Sequence, residues 1–170
     1  MSETSDEDRL AEWVRLHGDA VRGFLLAMVR RGDVADDLQQ EVFCRAWEAR
    51  GRYVEQGKSR AYLLKIADRL VCDRSRRPML EKSLSDRQWI EQEPLSQLPD
   101  PPEAAVASER HSELALAMDR LPAIQQRVLL LRYYGQMSFV EIAEAIGCPL
   151  STALSHCHRG LKTLRNILVE

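Results

Sequence analysis

The sequence predicts an all-α protein built from two small helical domains joined by an acidic, proline-containing linker. Three observations carry this expectation. Apolar residues recur at helical spacing on both sides of a middle stretch that has no such period. The middle stretch, residues 78–107, holds Pro78, Pro94, Pro99, Pro101 and Pro102 with six acids against two bases, a local charge of −4. Residues 121–165 read as three consecutive helices whose last two are joined by a turn at Gly147 and Cys148, a helix-turn-helix signature. The 170 residues therefore divide into domains 1–77 and 108–170 with the linker 78–107 between them, and each domain is small enough to be marginally stable alone.

In the first domain the expected helices are Glu7 to His17, Ala20 to Arg31, Val34 to Arg50 and Arg60 to Arg77. The third has an apolar stripe of Val34, Leu38, Val42, Ala46 and Trp47, while Asp37, Gln40, Glu41, Arg45 and Glu48 lie largely elsewhere and offer a docking face. Between the third and fourth helices runs GRYVEQGKSR, positions 51–60, a polar loop with glycines near both ends and the aromatic Tyr53. An aromatic beside cations can hold an unstacked base, because bases stack on rings and cations follow the phosphate backbone. From Arg50 to Arg77 nine bases face three acids, a local charge of +6 that suits a phosphate backbone. In the linker, prolines and self-repelling charge favour an extended tether, with Trp89 and Ile90 as its docking candidates.

The C-terminal motif is written in local chemistry. Ser138 and Glu141 have capping-box spacing at the start of one helix. Ala143 is small where two helices approach, and Gly147 can take the left-handed conformation that ends the helix. Pro149 suits the first position of the next helix, whose buried stripe is expected at Leu150, Ala153, Cys157, Leu161 and Leu164. On its polar side lie Ser151, Thr152, Ser155, His156 and Arg159. Such a helix fits the DNA major groove and presents its N-terminal turns to base edges, so duplex DNA is the expected partner.

Other classes find little support. No apolar run is long enough to span a membrane and no basic-then-apolar leader is present, so the expectation is a cytoplasmic protein without membrane insertion. Cys44, Cys72, Cys148 and Cys157 fall in helical patterns or at helix boundaries, which suits reduced, partly buried thiols. Cys148, His156, Cys157 and His158 match no zinc spacing, so no metal is expected. With no glycine-rich phosphate loop, nucleophile elbow or spaced carboxylate pair, neither catalytic residues nor a cofactor are expected, and the chain does not read as an enzyme.

Taken together, the segments resemble a bacterial RNA polymerase sigma factor of the extracytoplasmic-function group in the sigma-70 family. ADDLQQEVFCRAW, residues 35–47, is similar to the family's most characteristic segment. The resemblance implies that Asp37, Gln40, Glu41, Phe43 and Trp47 meet core RNA polymerase, through its beta-prime clamp and beta subunits. AYLLKIADRLVCDRSRR, residues 61–77, is similar to the segment that melts and reads the −10 element. Tyr53, Lys58, Arg60, Tyr62, Lys65 and Arg69 are then the candidates for the melted strand, with Arg74, Arg76 and Arg77 on phosphates. The helix-turn-helix is similar to the −35 reader, giving Ser151, Thr152, Ser155, His156, Arg159 and Lys162 as duplex contacts. The implied architecture is a sigma2-like four-helix domain, a linker and a sigma4-like domain, and the implied regulator is an anti-sigma factor that covers the polymerase-binding surfaces.

The chain departs from the family pattern at four positions. Tyr62 stands where the family usually has Trp, and Arg69 where it has Asn, so the melting surface is differently tuned. Leu154 and His156 stand where Lys and Arg are common. Each lost phosphate contact removes roughly one unit of salt dependence, so intrinsic −35 affinity is expected to be weak. Leu154 would touch either a thymine methyl or a partner protein. Two competing readings remain: a stand-alone dimeric helix-turn-helix DNA-binding regulator, and an interaction module that holds a regulator. The first leaves the acidic face of Val34 to Arg50 without a role, and the second leaves the +6 segment without one.

Overall fold

The computed structural model describes the backbone over residues 5–81 and 105–169, with side chains over 5–75 and 112–169. Within these residues the chain is helical: α1 (Asp6–Val29), α2 (Gly32–Glu48), a single 3-10 turn (Arg50–Arg52), α3 (Ser59–Glu81), α4 (Ala105–Asp119), α5 (Ala123–Tyr133), α6 (Phe139–Ile146) and α7 (Leu150–Val169). The chain splits into two compact units, Met1–Gln92 and Glu93–Glu170.

The first unit differs from expectation in its helix count. The two helices expected over Glu7 to His17 and Ala20 to Arg31 are one 24-residue helix, so the described residues of the unit hold three α-helices and not four. Ser5 starts α1, its Oγ accepting the Asp8 N–H at 3.1 Å, and Asp6, Glu7 and Asp8 sit in the first turn where the helix dipole favours acids. The helix ends only at Arg30, which takes the left-handed conformation at φ 60° and donates its N–H to the Leu26 carbonyl at 2.9 Å. Gly18 does not break it. That glycine is buried, and its carbonyl accepts the Gln39 Nε2 amide of α2 at 2.9 Å. A mid-helix glycine costs about 1 kcal/mol. Continuing the helix buries Val21, Phe24 and Leu25 completely, at about 1.5–3 kcal/mol each. Tertiary burial therefore outweighs local propensity.

Val34, Ala35, Leu38, Val42 and Ala46 from α2 and Leu63, Leu64, Ala67, Leu70 and Val71 from α3 complete this core. Trp47, expected in the α2 stripe, is only half-buried. Asp68 is fully buried, and it is not without a partner. An exposed ion pair, Arg22 Nε to Asp36 Oδ1 at 2.8 Å, ties α1 to α2. The α3 backbone continues past Pro78 to Glu81, beyond the expected Arg77 end. The remainder of the expected linker up to Pro102 and Glu103, with Trp89 and Ile90, lies outside the described residues.

In the second unit the expected motif forms. Ser138 Oγ accepts the Glu141 N–H at 3.2 Å while Glu141 Oε2 accepts the Ser138 N–H at 2.8 Å, a complete capping box. Gly147 takes φ 77° and donates its N–H to the Ala143 carbonyl at 2.9 Å. Pro149 stands one position earlier than expected, just before α7, with its carbonyl accepting the Thr152 and Ala153 amides. The α7 seam is also different. It consists of Ala153, Cys157, Gly160 and Leu164, whereas Leu150 and Leu161 are exposed. Gly160 marks the close approach: a Cβ there would stand 3.0 Å from Leu129 Cδ1 of α5, so even a methyl group would require Leu129 to give way. The core beneath comprises Val128 to Leu131 of α5, Met137, Ile142 of α6, and Ala115, Ala117 and Met118 of α4.

Candidate functional site

Three surfaces carry the residues singled out in the sequence. The first is the outward side of α2. Asp37, Gln40 and Glu41 are exposed there, with Glu41 paired to Arg45 at 2.8 Å along the helix. Phe43 and Trp47 are half-buried and turn toward α1, where Glu7, Leu10, Ala11 and Val14 form the opposite wall of an open groove of about 550 Å³ with Cys44 and Glu48. One face of the Trp47 ring is covered by the Arg50 guanidinium at 4.1 Å, and Arg50 Nη1 donates to the Trp47 carbonyl at 2.9 Å. The indole is thereby held as a fixed wall. Sequence reading found Phe43 and Trp47 but missed Leu10 and Val14, because both were absorbed into a helix whose partner was unknown. Cys44 is exposed, unlike the partly buried thiol expected, and all four cysteines are free.

The second surface is the loop before α3. Tyr53 is half-buried and packs among other aromatic rings. Its centroid lies 4.8 Å from Trp13 of α1, edge-on at 81°, and 4.6 Å from Tyr62 of α3. Arg9 lies over both Trp13 and Tyr53, 5.7 and 5.9 Å from their centroids. The Tyr53 hydroxyl donates to Glu55 Oε1 at 3.3 Å, and the same oxygen accepts the Gly57 N–H at 2.8 Å. Burial, reinforced by the Glu55 charge, pushes the Tyr53 phenol up to about 12, so the proton stays on. At the far end of the loop His17 Nε2 and Ser59 Oγ share a hydrogen bond at 2.9 Å. Burial first, and the Arg60 cation second, lower the His17 pKa, while its Nδ1 is buried with no partner among the described residues. The loop is thus anchored at both ends. The cations of the loop and of α3 differ in exposure: Lys58, Arg69 and Arg74 are exposed, Arg60 and Lys65 half-buried. Tyr62, Lys65 and Arg69, at spacings of three and four, share one face of α3. The side chains of Arg76 and Arg77 lie outside the described residues.

The third surface is α7. Ser151, Ser155, Arg159 and Lys162 are exposed and Thr152 is half-buried, all on the side away from α5. His156 sits at the flank, half-buried, with Nδ1 buried and unpartnered among the described residues. No acid occurs from Leu150 to Val169, and Arg159, Lys162 and Arg165 are exposed along the second half of the helix. Cys157 is buried, which raises its thiol pKa, with Arg132 opposing that shift. Two leucines, Leu150 and Leu154, stand 44 % and 43 % exposed among the hydroxyls. Among the described residues no group of His, Cys, Asp and Glu is placed to hold a metal ion, and no helix is long and apolar enough to cross a membrane.

Comparison with known proteins places these surfaces in context. The family model for Sigma-70 region 2 matches residues 13–78, and that for Sigma-70 region 4 matches residues 111–164. RNA polymerase sigma-E factor of Streptomyces coelicolor is 31% identical over 166 residues, covering 93% of this chain and 85% of the relative. ECF RNA polymerase sigma factor SigX of Bacillus subtilis is 31% identical over 144 residues, covering 84% and 74%. In fold, the chain is similar to the sigma factor RpoE of Bartonella quintana, solved in complex with the anti-sigma factor NepR. The TM-score is 0.70 at 20% identity, over 94% of this chain and 96% of that one.

Proposed function

The chain belongs to the extracytoplasmic-function group of sigma-70 RNA polymerase sigma factors, which direct the polymerase to promoters, and from that premise we propose how its residues divide the work. The supporting observation is the order of the two matches in one chain, region 2 followed by region 4, each falling on a unit with an exposed face of fitting chemistry.

Residues 1–77 form the domain that binds core polymerase. Asp37, Gln40 and Glu41 supply polar contacts and Phe43 and Trp47 the apolar anchor, since a central aromatic in a groove ringed by polar groups is the usual energetic centre of an interface. The same domain captures the melted −10 strand. Extruding a base costs a few kcal/mol, which a preformed site offsets. Lys58, Arg60, Lys65 and Arg69 hold the strand, Arg74, Arg76 and Arg77 its phosphates, and Tyr53 and Tyr62 give the loop its shape while presenting what ring edge is left. Residues 78–107 tether this domain to residues 108–170, whose α7 reads the −35 duplex with Ser151, Thr152, Ser155 and His156 and grips phosphate with Arg159 and Lys162. The few cations on α7 limit the salt dependence of duplex binding to about three units on a log–log scale.

An anti-sigma factor is the proposed regulator, covering the α2 face and its groove. RpoE is bound by NepR and CnrH by the cytosolic domain of CnrY, and both are similar to this chain in fold. The protein acts as an initiation factor in the cytoplasm, where core polymerase is found, and not as an enzyme.

The test is pull-down of bacterial core RNA polymerase by the purified chain beside a Gln40→Ala, Phe43→Ala variant, followed by promoter-directed transcription. Binding weakened by the double substitution, with transcription dependent on added protein, is the expected result. A folded, inhibitor-free chain that failed to bind polymerase at low salt would overturn the reading.

A further inference from the structure

We propose that Leu154, with Leu150 one turn before it, reads thymine in the −35 duplex through the C5-methyl group; this rests on α7 being the −35 reader. The argument begins with what α7 presents over its first two turns. Residues 150–157 carry no formal charge, and the exposed side chains are Leu150, Ser151, Leu154 and Ser155. A serine hydroxyl rotates and serves as donor or acceptor, so it accepts several base edges and discriminates weakly. The apolar side chains are different. Among the four bases only thymine offers an apolar group to the major groove, so a leucine placed there favours thymine and leaves the polar edge of any other base unsatisfied.

The fold leaves both leucines partly exposed and keeps them out of the core. The α7 seam runs through Ala153, Cys157, Gly160 and Leu164, with its close approach at Gly160 against Leu129, and this buried seam sets the rotation of the helix about its axis. With that rotation set, Leu150 and Leu154 lie beside Ser151 and Ser155 and not beneath the helix. They are separated by four residues, about 6 Å of helix rise, and base steps are about 3.4 Å apart. The pair therefore spans about two base steps. Arg159, Lys162 and Arg165 follow on the next turns, where they reach phosphate while the first turns enter the groove.

The experiment uses holoenzyme assembled from core polymerase and the full chain. Promoter duplexes are first selected by the holoenzyme from a pool randomised across the −35 element, and the thymines of the selected element are then replaced by deoxyuridine, which removes only the methyl. Thymine is expected on either strand within the element. Each methyl removed should weaken wild-type binding about fourfold, the worth of one buried methylene-sized group. Leu154→Ala should lose the methyl dependence at one thymine of the element and keep it at the thymine that Leu150 meets. Leu154 is exposed, so this variant leaves the core intact. Wild-type binding that is specific for the −35 sequence yet indifferent to the methyl overturns the proposal and leaves α7 as the reader. Methyl dependence that survives undiminished at every thymine in Leu154→Ala overturns the assignment to this residue. Absence of any −35 sequence preference overturns the proposal together with the reading beneath it.

Discussion

Replacing Tyr53 by alanine should destabilise the first unit, which a ring that merely awaited a base would not do. The ring makes two aromatic contacts, at 4.8 Å with Trp13 and 4.6 Å with Tyr62. Each such pair contributes about 0.5–1.5 kcal/mol beyond area burial. Adding part of the apolar area of a half-buried ring, the loss comes to about 2–3 kcal/mol. For a unit of this size that corresponds to a fall in Tm of roughly 10–20 °C. Tyr53→Phe keeps both ring contacts and deletes only the hydroxyl's long 3.3 Å bond to Glu55, so it should stay within about 0.5 kcal/mol of wild type. Thermal unfolding of the full chain, with hydrogen exchange on α1 and α3 to assign the transition, measures both. If Tyr53→Ala melts with wild type and loses only single-strand binding, the anchoring role is wrong and the ring is free to stack.

Two further outcomes follow from local geometry. Ser138→Ala removes the oxygen that accepts the Glu141 N–H and should cost about 1 kcal/mol in the stability of the second unit, with Glu141→Ala in the same background adding less than it does alone; strict additivity in chemical denaturation would show that the two halves of the cap act separately. His17 is held neutral when folded, its pKa below the unfolded value, so its contribution is complete above about pH 6.5 and is lost as pH falls through the folded pKa. Acid should therefore destabilise the first unit, and His17→Gln, which can still bond Ser59, should flatten the dependence of Tm on pH below about 6.5; an unchanged slope would assign the acid sensitivity to other groups.

What was legible in the sequence was what a few neighbouring residues decide among themselves. The capping box at Ser138 and Glu141 and the left-handed Gly147 are settled within ten residues, so spacing alone located the helix-turn-helix. The misreadings lie where a distant residue decides. A break was expected between His17 and Ala20, and the Gln39 amide that meets the Gly18 carbonyl there is 21 positions away. Leu161 looked buried because counting cannot tell which of two adjacent positions meets Leu129, and Gly160 is the one that does. The packing of Tyr53 on Trp13 was likewise invisible, because the two lie 40 positions apart in sequence. The residues proposed to meet polymerase were named from family likeness, but the α1 wall of the groove beside Phe43 and Trp47, Leu10 and Val14, needed the packed structure.

That α1 is unbroken has a mechanical meaning. Leu10 and Val14 border the groove, Arg9 and Trp13 brace the loop, and Phe24 and Leu25 are locked in the interior, all on one rod about 36 Å long. A joint at Gly18 would have let the front end swivel on its own. Without one, whatever settles into the groove and whatever strand lies along the loop are registered to the same beam, and the spacing between them is set like graduations on a ruler.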